Sequence, residues 1–435
     1  MLAGAQTATL TPHDPGVRGG PAGAGGPIAG LTTNQQSFFT EGQVRFNEVD
    51  AVANGLGPRF NMDSCAGCHA QPAVGGTSPF TNPQIAVASK NNATNSIPYF
   101  ISATGPVREA RFTRNPDGTP DGGVHDLFTI AGRSDAPGCT TTQIQQPNFG
   151  AAGAAGNITF RIPTPVFGGG LIQSITDAAI VRNKESNEAI KAAAGISGQE
   201  NREGNAGTIT RFGWKAQNKS LQIFAGEAYL VEQGVSNELF TQQRGEPGDR
   251  GFAERTEPNA ACLFNGSPED ATNFDQTLPT GVMSDVVGFG VFMELSAPPQ
   301  PDPNPSLSAQ AGQVLFNSVG CGLCHTPSLQ TGRSSVAALT GQTANLYSDL
   351  LIHNMGSGLA DHVSQGGAAG NEFRTAPLWG VGQRIFFLHD GRTRNLLEAI
   401  QQHASANSEA NTVIGAFNSK LPEERQAILD FLRSL

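Results

Sequence analysis

The sequence predicts a mainly α-helical protein of two units related by duplication, with a large loop-rich insertion in the first unit. Three observations carry this reading. Gly42-Gln43-Val44, Phe46-Asn47 and Val49 return as Gly312-Gln313-Val314, Phe316-Asn317 and Val319, and each copy precedes a Cys-x-x-Cys-His pentapeptide. Apolar residues in both copies recur at helical intervals. The stretch between them mixes Gly-rich loops with short periodic segments.

In chain order, residues 1–33 are rich in Gly, Pro and Thr without an apolar period and read as an N-terminal arm. The run SFFTEGQVRFNEVD then puts Phe38, Phe39, Val44, Phe46 and Val49 on roughly one side of a predicted helix. Asp50 to Ser64 separate this helix from its pentapeptide, whereas the second copy runs almost straight into Cys321. Further on, ITDAAIVRNKESNEAIKAAAG reads as a helix and FRIPTPVFGGGLI does not. Five prolines in SAPPQPDPNPS (296–306) make a stiff linker, so the units are predicted at 34–299 and 300–435. Pro422 opens a predicted last helix in which Ile428, Phe431, Leu432 and Leu435 follow the i, i+3, i+4, i+7 rule.

The 435 residues are 38% hydrophobic and 15% charged, enough to bury a core in each of two or three domains. With 54 Gly and 28 Pro, much of the chain must be irregular and pinned by something other than long helices, which a cofactor would do. A net charge of -10 with no basic run speaks against nucleic acid and anionic lipid as partners. No apolar stretch is long enough to span a membrane. Of six cysteines, four belong to the pentapeptides, and the remaining Cys139 and Cys262 are predicted to pair as a disulfide, the alternative being two buried thiols.

Cys-x-x-Cys-His has a division of labour: two thiols add to haem vinyl groups and the histidine is delivered to the iron. With 8 His in the chain, finding one after both Cys pairs by chance is about one in 3,000. A four-cysteine zinc site leaves both histidines unexplained, and a thioredoxin-like pair lacks its βαβ context. Two covalent c-type haems follow, on Cys65/Cys68 with His69 as iron ligand and on Cys321/Cys324 with His325. A helix before the haem and a terminal helix after it make the units cytochrome c-like haem domains. Such haems are attached outside the bacterial cytoplasm, so a periplasmic location is expected, with the export signal removed because the opening MLAGAQTATL shows none.

Seven stretches resemble a known superfamily: VDAVANGLGPRFNMDSCAGCHAQP, GGVHDLFTIAGRSDAPGC, FRIPTPVFGGGLI, RFGWKAQNKSL, LFNSVGCGLCHTPSL, YSDLLIHNMGSGLADH and FRTAPLWGVGQRIFFLHDGRTRNLLEAI. The chain resembles the bacterial di-haem oxidoreductases described as putative peroxidases, relatives of the di-haem cytochrome c peroxidases and the methylamine-utilisation di-haem enzyme. That resemblance implies a distal ligand of the second haem where LLEAIQQH ends, at His403, with Met355 as competitor and with His353 and His389 not ligating. The displaceable histidine that the peroxidases often carry after the first motif is missing here: none lies between His69 and His125. The first iron is therefore five-coordinate or reached by His125.

Peroxide cleavage needs a proton carrier and a group to stabilise departing hydroxide, and VREARFTRNPDGTPDGGVHDLF offers Glu109, Arg111 and His125. An aromatic between the haems carries electrons in the superfamily, so Trp214 or Trp379 is a candidate relay. Relatives also hold a calcium ion, for which no Asp-rich loop calls here. The expected function is reduction of hydrogen peroxide or another small oxidant at the His69 haem, with electrons relayed through the His325 haem from a small donor protein, a cytochrome c or cupredoxin. The chain is compatible with a homodimer. The alternatives are an oxidase or oxygenase acting on a protein or organic substrate, and a pure electron-transfer cytochrome.

Overall fold

A computed structural model describes residues 10–245, 260–263 and 283–435. The N-terminal part runs α1 (Thr33–Asn47), β1 (Arg59–Phe60), α2 (Cys65–Cys68), α3 (Gln84–Val87), β2 (Glu109–Phe112), β3 (Val124–His125), β4 (Phe128–Thr129), α4 (Phe149–Ala154), β5 (Ile158–Arg161), α5 (Gly169–Ser174), α6 (Asp177–Glu185), α7 (Glu188–Ala194), α8 (Leu221–Gln233) and α9 (Asp285–Leu295). There follow α10 (Leu307–Ser318), β6 (Leu329–Gln330), β7 (Thr343–Ala344), β8 (Ile352–Asn354), β9 (Glu372–Arg374), α11 (Leu396–Gln401), α12 (Asn411–Asn418) and α13 (Pro422–Ser434). The architecture is mainly helical with small antiparallel sheets, β1-β4, β3-β2-β5, β6-β7 and β8-β9.

Two helix crossings organise it, and a glycine sits at each. On α1, a Cβ at Gly42 would lie 2.5 Å from the Gly288 carbonyl oxygen of α9; on α10, one at Gly312 would lie 1.8 Å from the Ala427 carbonyl oxygen of α13. Only glycine lets the backbones approach so closely. Four residues on, Phe46 packs on Phe292 at 4.7 Å between ring centroids and Phe316 on Phe431 at 5.4 Å. The buried stripe of α1 is thus Phe39, Gly42 and Phe46, narrower than the sequence suggested: Phe38, Val44 and Val49 are exposed, and Val49 lies past the helix end.

The segment read as a single helix over ITDAAIVRNKESNEAIKAAAG is two, α6 and α7. It breaks at Asn187, whose φ of 58° is left-handed, a conformation asparagine tolerates better than most residues. Lys191 seals the break by donating from Nζ to the carbonyls of Asn183 and Lys184 at the end of α6, the first of which also accepts from Ser186 Oγ. Within FRIPTPVFGGGLI, Phe160 and Arg161 end β5, the chain is irregular over 162–168, and α5 starts at Gly169. The last helix starts at Pro422, and Ile428, Phe431, Leu432 and Leu435 are all buried.

The predicted disulfide Cys139–Cys262 is formed, in a cluster with Phe60, Leu127, Phe128 and Ile144. It spans 123 residues, a loop whose closure is worth about 4–5 kcal/mol in a chain-entropy account. The arm lies across the later part of the chain: Asp14 accepts from Arg433, Arg18 N donates to Gly382 O, and Ile28 N to Leu295 O. Among the described residues no helix is long and apolar enough to cross a membrane.

Gly312→Ala should therefore lower stability by about 1–3 kcal/mol or more through overpacking. Gly415→Ala, in α12 with nothing within 4 Å of its Cβ, should be neutral or stabilising by up to about 1 kcal/mol. Thermal unfolding of the two variants checks this; equal melting temperatures would remove the crossing as a constraint.

Candidate functional site

Each Cys-x-x-Cys-His motif forms one tight turn closed by its histidine: His69 N donates to Cys65 O at 3.0 Å, and His325 N to Cys321 O at 2.9 Å. The rings are then aimed by a second bond. Nδ1 of His69 donates to Gly76 O at 2.9 Å and Nδ1 of His325 to Tyr347 O at 3.0 Å, which leaves each Nε2 with its lone pair. Burial pushes both imidazoles down to about 4, which keeps them neutral. Burial also raises the thiols of Cys65, Cys68 and Cys321, the last to about 12.

Both motifs open onto cavities. Cavity 2 holds Cys321, Cys324 and His325 with an apolar wall that includes Phe387, Leu396, Ile400, Val413 and Leu432. His403 lines it too, two residues past the end of α11, and donates Nδ1 to Ala399 O at 2.8 Å, again leaving Nε2 free. Met355 and His389 share the wall. His389 stacks on Phe373 at 4.4 Å, and burial takes it down to about 4.

Two guanidiniums close this cavity without a carboxylate partner among the described residues. Arg374 donates Nε to Gly213 O at 3.0 Å and Arg384 donates to Pro377 O at 3.0 Å, while Arg384 Nε is buried with no acceptor. Burial pushes both down to about 10. An orphaned buried cation beside an apolar slot fits a haem, whose propionates supply the missing anions.

Cavity 1 holds Cys65, Cys68 and His69 with Phe46, Phe289 and Met293, but its polar lining differs: Gln84, Arg108, Glu109, Arg111, Arg161 and Glu232. Arg108 is again pushed down by burial and donates Nε to Asp390 O at 3.0 Å, a candidate propionate anchor. Strand alternation explains which predicted residues reach the cavity. Glu109 and Arg111 share one face of β2, where Arg111 Nε donates to Glu109 Oε1 at 2.6 Å. His125 is paired with Ala110, so its side chain falls on the other face, stacked on Phe112 at 3.7 Å with Nε2 2.8 Å from Asp121 Oδ2. It is not among the lining residues.

Trp214 lines both cavities. Its indole Nε1 donates to Ile162 O at 2.9 Å, and Arg374 N donates to its carbonyl at 2.8 Å. Trp379 lines neither and packs in the core against Gly168. The sequence reading missed Glu232, Gln84, Arg374 and Arg384. Glu232 left one faint signal, a carboxylate closing the otherwise apolar end of AYLVEQ.

Cys324, Asp349 and His353 come close enough together to suggest a metal site. Both ring nitrogens of His353 are already committed, Nε2 to Asp349 at 3.0 Å and Nδ1 to Glu409 at 2.7 Å. Burial pushes this imidazole down, but Cys324 and Asp349 more than compensate and hold it well above its ordinary value. A doubly paired cation has no lone pair for a metal.

A family model described as "Di-haem oxidoreductase, putative peroxidase" matches residues 153–435. The chain belongs to the di-haem oxidoreductase family. Haem is accordingly the cofactor of this di-haem oxidoreductase. The matched part holds the second motif, Trp214, Glu232 and His403, while the first motif and Glu109 precede it. No curated protein matches the di-haem oxidoreductase. Among solved structures, hydrazine synthase of Kuenenia stuttgartiensis is 12% identical, over 99% of this chain and 100% of that one, with a TM-score of 0.32. A MauG-like protein associated with microbial copper homeostasis is 14% identical, over 63% of this chain and 90% of that one, with a TM-score of 0.29. At these scores neither bears on the site.

The Glu409 carboxyl gives a pH test. Burial pushes it up, and the hydrogen bond and charge of His353 outweigh burial and bring it down to about 2 from 4.5. A depressed carboxyl stabilises the fold above its unfolded value and loses that contribution as pH falls from about 4.5 towards 2. Unfolding experiments across that window should show a shallower acid loss in His353→Gln than in the unaltered protein; parallel curves would contradict the pairing.

Proposed function

We propose that the protein is an exported, periplasmic c-type di-haem oxidoreductase that reduces hydrogen peroxide in cavity 1 with electrons received through cavity 2 from a small cytochrome c or cupredoxin. Cys65 and Cys68 would hold one haem through thioether bonds with His69 as iron ligand, and Cys321 and Cys324 would hold the other with His325. When bound, the haems supply the iron centres and the electrons for reducing a small oxidant.

The observation that carries this reading is the unlikeness of the two cavities. In cavity 2, His403 offers a second free Nε2 within an apolar wall, which suits a six-coordinate electron carrier. In cavity 1, His69 is the sole histidine among the described lining residues, and Glu109 and Arg111 stand there instead. Glu109 takes and returns a proton, and Arg111 counters the negative charge that develops on a departing oxygen. Trp214, common to both walls, is the supported relay; Trp379 is better explained by packing. The division at residue 300 and the duplication are supported by the paired crossings at Gly42 and Gly312, with the loop-rich insertion between α2 and α9.

Denaturing electrophoresis with haem staining should retain two haems per chain, and Cys65→Ala with Cys68→Ala should leave one. EPR of the resting protein should show one high-spin and one low-spin haem, and His403→Ala should convert the low-spin one. Peroxide and cyanide should perturb only the high-spin signal, with Glu109→Gln slowing the peroxide response by about 100-fold or more. Two low-spin haems without any peroxide response would instead mark an electron-transfer cytochrome.

A further inference from the structure

Glu232 is the cavity residue that the reading above leaves without work. It sits in the last turn of α8, the end of a helix that disfavours a negative charge, and no basic residue stands in that turn. Its carboxyl meets that of Glu109, from β2, where both line cavity 1. Two carboxyls that share a buried lining resist being ionised together, because like charges repel at short range, and one proton held between them removes that repulsion.

The surrounding charges are already assigned. Arg111 belongs to Glu109, Arg161 to Asp361, and Arg244 to Asp126. Glu227, on the same helix, accepts from Asn218. Among the described residues Glu232 therefore has no cation of its own. Its other oxygen, Oε2, accepts from Asn61 Nδ2 at 3.0 Å, a bond that a neutral acid or a carboxylate could equally accept. Asn61 is itself pinned, because its Oδ1 accepts from Leu127 N at 2.9 Å, so the amide is oriented to donate towards Glu232.

We propose that Glu232 and Glu109 carry one proton between them and act as a single acid–base unit facing cavity 1, with Glu232 as its resting holder. The catalytic use of that proton rests on the peroxide reading; its presence does not. In cleavage, the pair gives its proton to the departing oxygen, which leaves as water, and takes up the proton of the oxygen that stays. It ends with the one proton it began with, and the two electrons that the broken O–O bond accepts come from the bound haem.

The test is infrared spectroscopy of the haem-loaded protein at neutral pH in H2O and D2O. The unaltered protein should show a deuterium-sensitive carbonyl band of a protonated carboxyl; Glu232→Gln should lose it and Glu232→Asp should keep it. The proposal is overturned if the unaltered protein lacks the band or if Glu232→Gln retains it. Loss in Glu109→Gln with retention in Glu232→Gln would put the proton on Glu109 and equally overturn it. The band's presence in a protein that gives no spectral response to peroxide supports the shared proton and removes the peroxide reading alone.

Discussion

The buried carboxylate of Asp361 ties together the wall between the cavities. It accepts from Arg161 at the end of β5 at 2.7 Å and from Lys215 at 3.0 Å, with all three side chains nearly or fully excluded from solvent. Lys215 also lies 3.9 Å from the Phe373 ring and donates to the carbonyls of Ala369 and Glu372. The residue before it is Trp214. A buried cation of this kind is tolerated only where its partners are fixed, and removing one partner costs about 3–5 kcal/mol. The ion cluster thus joins β5, the Trp214 turn and the loop after β8, three segments distant in sequence, and the aromatic wall takes its position from them.

On either side of that wall similar parts meet different surroundings. Both motif histidines are aimed by a backbone carbonyl and flanked by a phenylalanine, Phe46 at 5.9 Å from His69 and Phe316 at 6.3 Å from His325. What differs is the element opposite. Cavity 2 is flanked by α11 and α12, which bring apolar side chains with His403 just past α11, whereas β2 and the end of α8 bring Glu109, Arg111 and Glu232 to cavity 1. A strand can present Glu109 and Arg111 side by side because alternate residues share a face. A helix end can present Glu232 next to them because its own dipole discourages ionisation there.

How much of this was legible in the sequence follows from which physical rule each part obeys. The two motifs and the terminal helix were legible, since covalent chemistry and helical spacing leave local traces. The helix α9, DVVGFGVFMEL, was not: it is apolar all round, being packed against α1 and α8 together, so it lacks a periodic stripe. His125 was grouped with Glu109 and Arg111 because proximity in sequence hides the strand pairing that turns it to the other face. Glu232 was missed because an acidic residue on a helix reads as a solvated one unless the fold brings a second carboxyl to it. Arg374 and Arg384 lie within a stretch whose resemblance was noted, yet nothing in the sequence says that they lack anionic partners; only burial reveals it.

The contact between Asp14 and Arg433 has a consequence for how the chain is made. Asp14 accepts two hydrogen bonds from the Arg433 guanidinium, each 2.7 Å, across 419 residues, and Asp14 also receives the amide of Leu396. A ribosome delivers Asp14 419 residues before the arginine that holds it, and Leu396, its other partner, between the two. Until α13 has emerged the arm lacks this anchor, whatever earlier contacts it makes. Its fastening at Asp14 is then a late event in biogenesis, one that waits on the packing of α13.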